Sequence, residues 1–342
     1  RLPGHGGTSG AFVAGTRCGL DASAPWPWPW AGRGRRSGRE TAPVRHDHTA
    51  DLTGRSVVIT GANSGIGRET AVGLARLGAE VTIAVRNPTK GAEALADIRR
   101  RSGSDLVSQA QLDLADLDSV RRCAGELLDR LERIDVLVNN AGIIADERRE
   151  TRQGFEEMFG VNHLGHFLLT DLLLDRLVAS APSRVVILSS MAHRFSPRGL
   201  RFDDLHAHRS FHMFPVYGRS KEANAMHALE LARRLEGTGV AVNCVHPGSI
   251  ASGFGGDGDT RFLGKLISQV GRVFMASPEQ GARTPVMLAA STSPRVAEVT
   301  GGYFSHGRQW RPSRAARDAE AARRLWEISE QLVGADADSS RR

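Results

Sequence analysis

Tyr217 and Lys221, set four apart, are the first residues in this chain whose types and spacing could do chemistry. On a helix that spacing puts both on one face, a turn from each other. A phenol with a pKa of about 10 is a poor base near neutrality, and an adjacent ammonium favours the phenolate and lowers that value. The pair could then give and take a proton near neutral pH. Tyr and Lys at this distance are also commonplace on solvated helix faces, so the pair gains weight only from its surroundings. Upstream, apolar runs end in Leu112-Asp113-Leu114, Val138-Asn139-Asn140-Ala141-Gly142 and Leu188-Ser189-Ser190. If those runs are parallel strands, their polar ends share one edge, where open α/β sheets bind ligands.

A second constellation follows the run Val57-Val58-Ile59: Thr60-Gly61-Ala62-Asn63-Ser64-Gly65-Ile66-Gly67. A tight turn off a strand needs unusual dihedrals, a pyrophosphate needs backbone with no Cβ in the way, and helix–sheet packing needs a small residue. The free N–H groups of the helix that follows can then hold phosphate. About 20 residues further on, an acid would bind the ribose 2′-hydroxyl of NAD and an arginine would accommodate the 2′-phosphate of NADP. Here the second apolar run ends in Val85-Arg86-Asn87 with no carboxylate adjacent, which points to NADP. The plain alternative is a solvated arginine at a strand end.

The elements that must position these groups are legible from Leu52 onward. Strands are predicted at 56–60, 80–85, 106–112, 134–139, 184–189, 240–245 and 299–304. Helices are predicted at 65–78, 89–101, 116–131, 151–178, 217–236, 278–291 and 314–332. The strands read as continuous apolar runs, such as Val185-Val186-Ile187-Leu188, as expected where helices cover both faces of a parallel sheet. The alternation predicts a single Rossmann-type, doubly wound α/β domain over 51–334, with a seven-stranded, mainly parallel sheet.

Residues 1–50 differ: they are rich in Gly, Pro and Arg, contain PWPWPW at 25–30, and lack periodicity. Such a segment cannot bury enough apolar surface to offset its ordering entropy, so disorder is expected there, and again at 335–342. Of the formal charge of +7, most resides in that first segment, where seven arginines face three carboxylates. The basic excess is therefore no patch on the folded body, and nucleic-acid binding is not expected. No apolar run approaches the roughly 18 residues of a membrane span, and none forms the core of a secretory signal. Cys18, Cys123 and Cys244 lack metal or disulfide spacing, which suits a reducing, cytoplasmic setting. His163 with His166, and His206, His208 and His212, do not make the three or four converging ligands of a zinc site, so no metal is expected.

Taken together and in order, TGANSGIG, LDLAD, NNAG, VNHLGHFLLT, LSS, YGRSK and HPG resemble the short-chain dehydrogenase/reductase family over roughly residues 52–334. VNHLGHFLLT, LSSMAH and the ending PSRAARDAEAARRLWEISEQLVG are most similar to its retinol-dehydrogenase-like and WW-domain-oxidoreductase-like branch. The resemblance implies an NAD(P)(H)-dependent alcohol dehydrogenase or carbonyl reductase, a small-molecule, lipophilic substrate, and a homodimer as one option. It implies Tyr217 as acid/base, Lys221 as the residue that lowers its pKa and holds the nicotinamide ribose, Ser190 as the donor to the substrate oxygen, and Asn162 as the fourth catalytic position. The implied cofactor-binding set is Gly61, Asn63, Ser64, Gly65, Ile66, Gly67, Arg86, Asp113, Leu114, Asn140, Ala141, Gly142, Tyr217, Lys221, Pro247, Gly248, Ile250 and Ser252.

Asp113 would contact the adenine. The stretch after His246 would close on the nicotinamide, with Ser252 where the family usually has Thr. Twenty-seven positions separate Ser190 from Tyr217, a longer gap than in compact family members. The inserted stretch, with Phe202, Leu205, Phe211, Met213 and Phe214, reads equally as an apolar substrate mouth or as a loop packing on itself. Residues 253–259 read as a turn into a helical lid at 260–275. Two other functions fit the same scaffold: a cofactor-binding sensor without turnover, and a different reaction such as epimerisation or enoyl reduction. A missing Tyr, Lys or Ser would favour the sensor, and a wider Tyr–Lys spacing the enoyl reaction.

Overall fold

Among the described residues, eight strands form one sheet in the order β3-β2-β1-β4-β5-β6-β7-β8. The computed structural model describes residues 49–196, 199–248 and 277–339. The expected N-terminal tail before Thr49, the turn at 253–259 and the lid at 260–275 lie outside the described residues. The chain runs β1 (Ser56–Thr60), α1 (Gly65–Arg76), β2 (Glu80–Val85), α2 (Pro88–Ser102), β3 (Val107–Gln111), α3 (Leu117–Arg130) and β4 (Val136–Asn139). It continues through α4 (Glu157–Phe159), α5 (Gly165–Leu172), α6 (Leu174–Ala179), β5 (Ser183–Leu188), α7 (Met213–Arg234) and β6 (Val240–His246). After the undescribed stretch come α8 (Pro278–Ala290), α9 (Pro294–Ala297), β7 (Tyr303–Ser305), β8 (Arg308–Trp310) and α10 (Ala319–Ser339).

Strands β1 to β7 pair in parallel, and β1 and β4 are buried at every position, as their unbroken apolar runs require. One face of the sheet is covered by α1, α2 and α8 through Val72, Leu74, Ile98 and Leu288. The other is covered by α3, α5, α7 and α10 through Leu127, Phe167, Met226 and Leu325. Strand order reverses between β1 and β4, and the crevice at their carboxyl ends is where such a sheet takes a ligand.

The sheet has eight strands where seven were expected, because β8 turns back antiparallel on β7. His306 and Gly307 join them with φ of 51° and 71°, the two positive values that a tight hairpin of this hand demands. The helix expected over 151–178 is broken into α4, a π-helical turn at Gly160–Leu164, α5 and α6. Helix α7 starts at Met213, four residues before the expected position, so Tyr217 and Lys221 lie inside it rather than at its lip.

Candidate active site

The glycine turn is tied into the switch point by one hydroxyl. Thr60, the last residue of β1, accepts hydrogen bonds at Oγ1 from the backbone N–H of Asn140 (2.9 Å) and of Ala141 (3.0 Å). Its own proton goes to His166 Nε2 at 2.8 Å, and His166 Nδ1–H in turn donates to the Asn162 carbonyl at 3.1 Å. Asn140 returns the contact through Nδ2, which donates to the Thr60 carbonyl at 2.7 Å. Gly61 takes φ of +66°, and a Cβ there would sit 2.8 Å from the Ala141 Cβ. From sequence Thr60 was read only as the head of the turn and His166 only as a rejected metal ligand; the signals for their pairing were a hydroxyl directly before the turn and a histidine one helical turn after Asn162.

A Cβ on Gly67 would lie 2.4 Å from Asn140 Nδ2 and 2.8 Å from the Gly61 carbonyl oxygen. Gly67→Ala is therefore expected to displace Asn140, to destabilise the fold by about 1–3 kcal/mol and to weaken dinucleotide binding at least tenfold. Thermal denaturation with a cofactor titration checks this; a variant that melts and binds like the parent would refute the close approach. Helix α1 has no acidic residue in its first turn, and Ser64 at its start makes no side-chain cap bond. Its leading N–H groups thus suit a phosphate anion. Asn63 and Ile66 are partly buried and Ser64 is exposed on the same turn.

Arg86 and Asp113 stand at the neighbouring strand ends. The glycine turn is hydrogen-bonded to β2 through Gly61 N–H and the Ala84 carbonyl at 2.8 Å. Arg86, two residues further, is exposed and makes no hydrogen bond or ion pair among the described residues. Asn87 beside it is used structurally: its side chain caps α2 by accepting from the Thr89 and Lys90 N–H groups at 3.0 Å each. Asp113 accepts at Oδ1 from the Ala115 N–H at 3.0 Å, while Leu114 is buried against Gly165.

Across the crevice, Tyr217, Ser190, Lys221 and Asn162 come together. Ser190 follows β5, and its hydroxyl is close enough to the Tyr217 phenol to lower its pKa. The Lys221 ammonium lies 5.8 Å from the centre of the Tyr217 ring and donates to the Leu188 carbonyl at 3.4 Å. The loop carrying Gly142 passes so close that a Cβ there would lie 3.0 Å from Lys221 Nζ and 3.1 Å from Asn162 Oδ1. Asn162 sits in the π-helical turn, a distortion frequent at functional sites. Its Oδ1 accepts from Ile143 N–H at 2.7 Å, and its Nδ2 donates to the Ile143 carbonyl at 3.0 Å and to Ser220 Oγ at 2.9 Å. It therefore latches the Asn140–Ile143 loop to α7.

The electrostatics differ from the sequence expectation. Burial pushes the Tyr217 phenol up to about 12, with the Ser190 hydrogen bond pulling the other way. Burial likewise lowers the Lys221 ammonium to about 8. Lysine was expected to lower the phenol, but no contact with Lys221 offsets desolvation of the ring here, so the proton is held tightly.

Pro247 and Gly248 follow β6 at the same edge, Gly248 with φ of 99°, and His246 Nδ1 accepts from the Met191 N–H at 3.3 Å. Ile250 and Ser252 lie outside the described residues. Of the inserted stretch, Phe202 and Leu205 pack on the main core and Phe211 packs beside Val216 and Tyr217. Phe195 and Phe214 stay about half exposed and meet edge to face, centroids 6.3 Å apart. The stretch both packs on itself and leaves an aromatic rim close to Tyr217. Among the described residues no group of three or more His, Cys, Asp or Glu side chains could hold a metal ion.

Residues 55–202 match the model of the short chain dehydrogenase family. The chain is 44% identical to human retinol dehydrogenase 14 over 297 residues, covering 83% of this chain and 87% of that protein. It is 42% identical to human retinol dehydrogenase 13 over 296 residues, 85% and 88% of the two chains. Among solved structures, an uncharacterized protein from Mycobacterium paratuberculosis superposes with a TM-score of 0.67 at 36% identity, covering 86% of this chain and 98% of that one. A Beutenbergia cavernae protein described as an NAD(P)-dependent gluconate 5-dehydrogenase, with bound NADP, gives a TM-score of 0.58 at 29% identity over 75% and 96%.

Proposed function

Because this chain belongs to the short-chain dehydrogenase/reductase family of oxidoreductases acting on CH–OH groups, in its retinol-dehydrogenase-like branch, we propose that it interconverts a lipophilic alcohol and its aldehyde or ketone with NADP(H). The observation that carries the reading is the placement of the Ser190 hydroxyl close enough to the Tyr217 phenol to lower its pKa, with the Lys221 ammonium 5.8 Å from the ring centre, at the carboxyl edge of the sheet. A carbonyl oxygen entering between them would accept from both, with Ser190 orienting it and Tyr217 supplying the proton. The bound nicotinamide would supply or accept the hydride.

The residues present fit that cofactor. The uncapped start of α1 with Gly61, Gly65 and Gly67 suits the pyrophosphate, and Asp113 would face the adenine. Lys221 retains N–H donors for the nicotinamide ribose beyond its one described acceptor, the Leu188 carbonyl. Asn162 would hold the loop that carries Gly142 in place, and Pro247 and Gly248 would border the nicotinamide side. The exposed guanidinium of Arg86 suits a 2′-phosphate. The half-exposed rings of Phe195 and Phe214 support a lipophilic substrate, and the buried thiols of Cys123 and Cys244 fit a reducing compartment. No described helix is long and apolar enough to cross a membrane.

Assays of the purified protein with NADPH and NADH over aliphatic, aromatic and isoprenoid aldehydes test the reading. NADPH is expected to be preferred, and Arg86→Ala is expected to raise its Kd about tenfold or more while leaving that of NADH unchanged. Preference for NADH, or an indifferent Arg86→Ala, would remove the assignment of NADP.

A further inference from the structure

His193 lies three residues beyond Ser190, fully buried, and serves neither the cofactor edge nor the sheet core. Its ring spans two segments far apart in sequence. Nδ1 lies 2.6 Å from the Ser190 carbonyl oxygen, which only accepts, so Nδ1 carries the proton and donates. Nε2 is then the acceptor, and it takes the Ser313 backbone N–H at 3.1 Å. The Ser190 carbonyl and the Ser313 N–H fix the tautomer; Nδ1 also lies 3.4 Å from the Tyr303 hydroxyl, and the ring packs edge to face on Tyr303, centroids 5.3 Å apart at 61°.

The segment on the far side is itself braced. Ser313 Oγ accepts from the Ala316 N–H at 3.1 Å, and Arg317 Nε donates to the Pro312 and Ser313 carbonyls at 3.3 Å each. Arg194, beside His193, adds a donor to the Arg311 carbonyl at 3.1 Å. On the near side, Ser190 is the extended residue that starts a 3-10 turn, with φ of −153° and ψ of 155°. Its carbonyl also takes the His193 N–H at 3.1 Å, and its hydroxyl accepts the Ala192 N–H at 3.2 Å. Of the groups bonded to the Ser190 carbonyl, the imidazole also reaches out of the turn, through Nε2 to the Ser313 N–H.

We propose that His193 is a positioning residue that fixes the Ser190 hydroxyl toward Tyr217 by pinning the Ser190 carbonyl to the braced segment Arg311–Arg317. A side chain held within a fraction of an ångström of its productive place needs such support from behind. It also gives LSSMAH and the PSR segment a shared purpose, since His193 is the bond between them. Burial lowers the His193 pKa, so the ring stays neutral and keeps the Nε2 lone pair that Ser313 requires.

The inference rests on the role proposed for Ser190, and a double-mutant cycle separates the two. Turnover and NADPH affinity are measured for the full chain with Ser190→Ala, His193→Ala and both together. Ser190→Ala is expected to lower kcat strongly, and His193→Ala to lower it about tenfold with cofactor Kd unchanged. In the Ser190→Ala background, His193→Ala is expected to change kcat less than about twofold. His193→Asn, which keeps a donor in the place of Nδ1, is expected to retain more turnover than His193→Ala, and it carries the same cycle if His193→Ala fails to fold. Equal losses in both backgrounds, or a parental kcat in His193→Ala, would overturn the role of His193 while leaving that of Ser190 intact. A parental kcat in Ser190→Ala would overturn the reading of Ser190 itself.

Discussion

Tyr217→Phe is expected to lower turnover by about 10²–10⁴-fold and to leave NADPH affinity within about a factor of two. The phenyl ring remains, so its packing beside Ile143, Ile144, Phe211 and Val216 is kept and the fold is not at risk. What goes is the proton that a carbonyl oxygen would receive, a loss of about 4 kcal/mol of transition-state stabilisation for a thousandfold effect. Direction matters as well. With the phenol held up near 12, the protonated form dominates at neutral pH, so carbonyl reduction is expected to run on a plateau through neutrality. Alcohol oxidation needs the phenolate, so its rate is expected to rise with pH through the alkaline range, with an inflection where Lys221 loses its charge near 8. Steady-state rates in both directions from pH 6 to 10, with fluorescence titration of cofactor, measure each part. Parental turnover in Tyr217→Phe would take the acid/base role away from Tyr217.

That pair shows how far the sequence could be read and where it stopped. The strand–helix alternation gave the sheet, because unbroken runs such as Val57-Val58-Ile59 are buried on both faces and leave few alternatives. Ser190, Tyr217, Lys221 and Asn162 were recognised by type and order, and they meet because α7 and the π-helical turn pack at the edge where β5 ends. Local distortions escaped the reading. The π-helical turn that aims Asn162 has ordinary helical residues, so its periodicity predicted one long helix over 151–178. Strand β8 is three residues long and depends on the His306-Gly307 turn, too short to register as a run. Spacing gives proximity along a helix but not desolvation, so the burial that raises the Tyr217 phenol was not legible in the sequence. Thr60, His166 and His193 act through bonds to backbone groups, and only the folded chain shows those partners.

The same burial predicts a sharp loss of stability in acid. His163, His166 and His227 are all buried, with pKa values lowered chiefly by desolvation, to about 3 for His166 and His227 and well below the ordinary value for His163. Above pH 6.5 these rings are neutral in both the folded and the unfolded chain and contribute no pH dependence. Below 6.5 the unfolded chain takes up protons that the native chain refuses, so stability falls as pH drops toward the folded values. Each histidine contributes a slope of about 1.4 kcal/mol per pH unit, so three give about 4 kcal/mol per unit once well below 6.5. Against a typical stability of about 5–15 kcal/mol, unfolding is expected within about two to four units below pH 6.5.

His227 separates cause from coincidence. Both its ring nitrogens lack a hydrogen-bond partner among the described residues, and its neighbours are the rings of Phe167, Trp326 and His163, with centroids 5.2, 5.7 and 5.7 Å away. An unpaired buried polar ring costs stability that an apolar ring of similar shape does not. His227→Phe is therefore expected to raise stability by about 1–3 kcal/mol at pH 7 and to reduce the acid slope by about one third. His166→Phe would instead break the bond to Thr60, on which the Asn140–Ala141 loop depends, and is expected to lower cofactor affinity together with stability. Denaturant midpoints from pH 7.5 to 5 measure all three chains. A parental slope smaller than that of a single histidine, or an unchanged slope in His227→Phe, would show that these rings gain protons in the folded state and that the buried cluster is not the source of the acid lability.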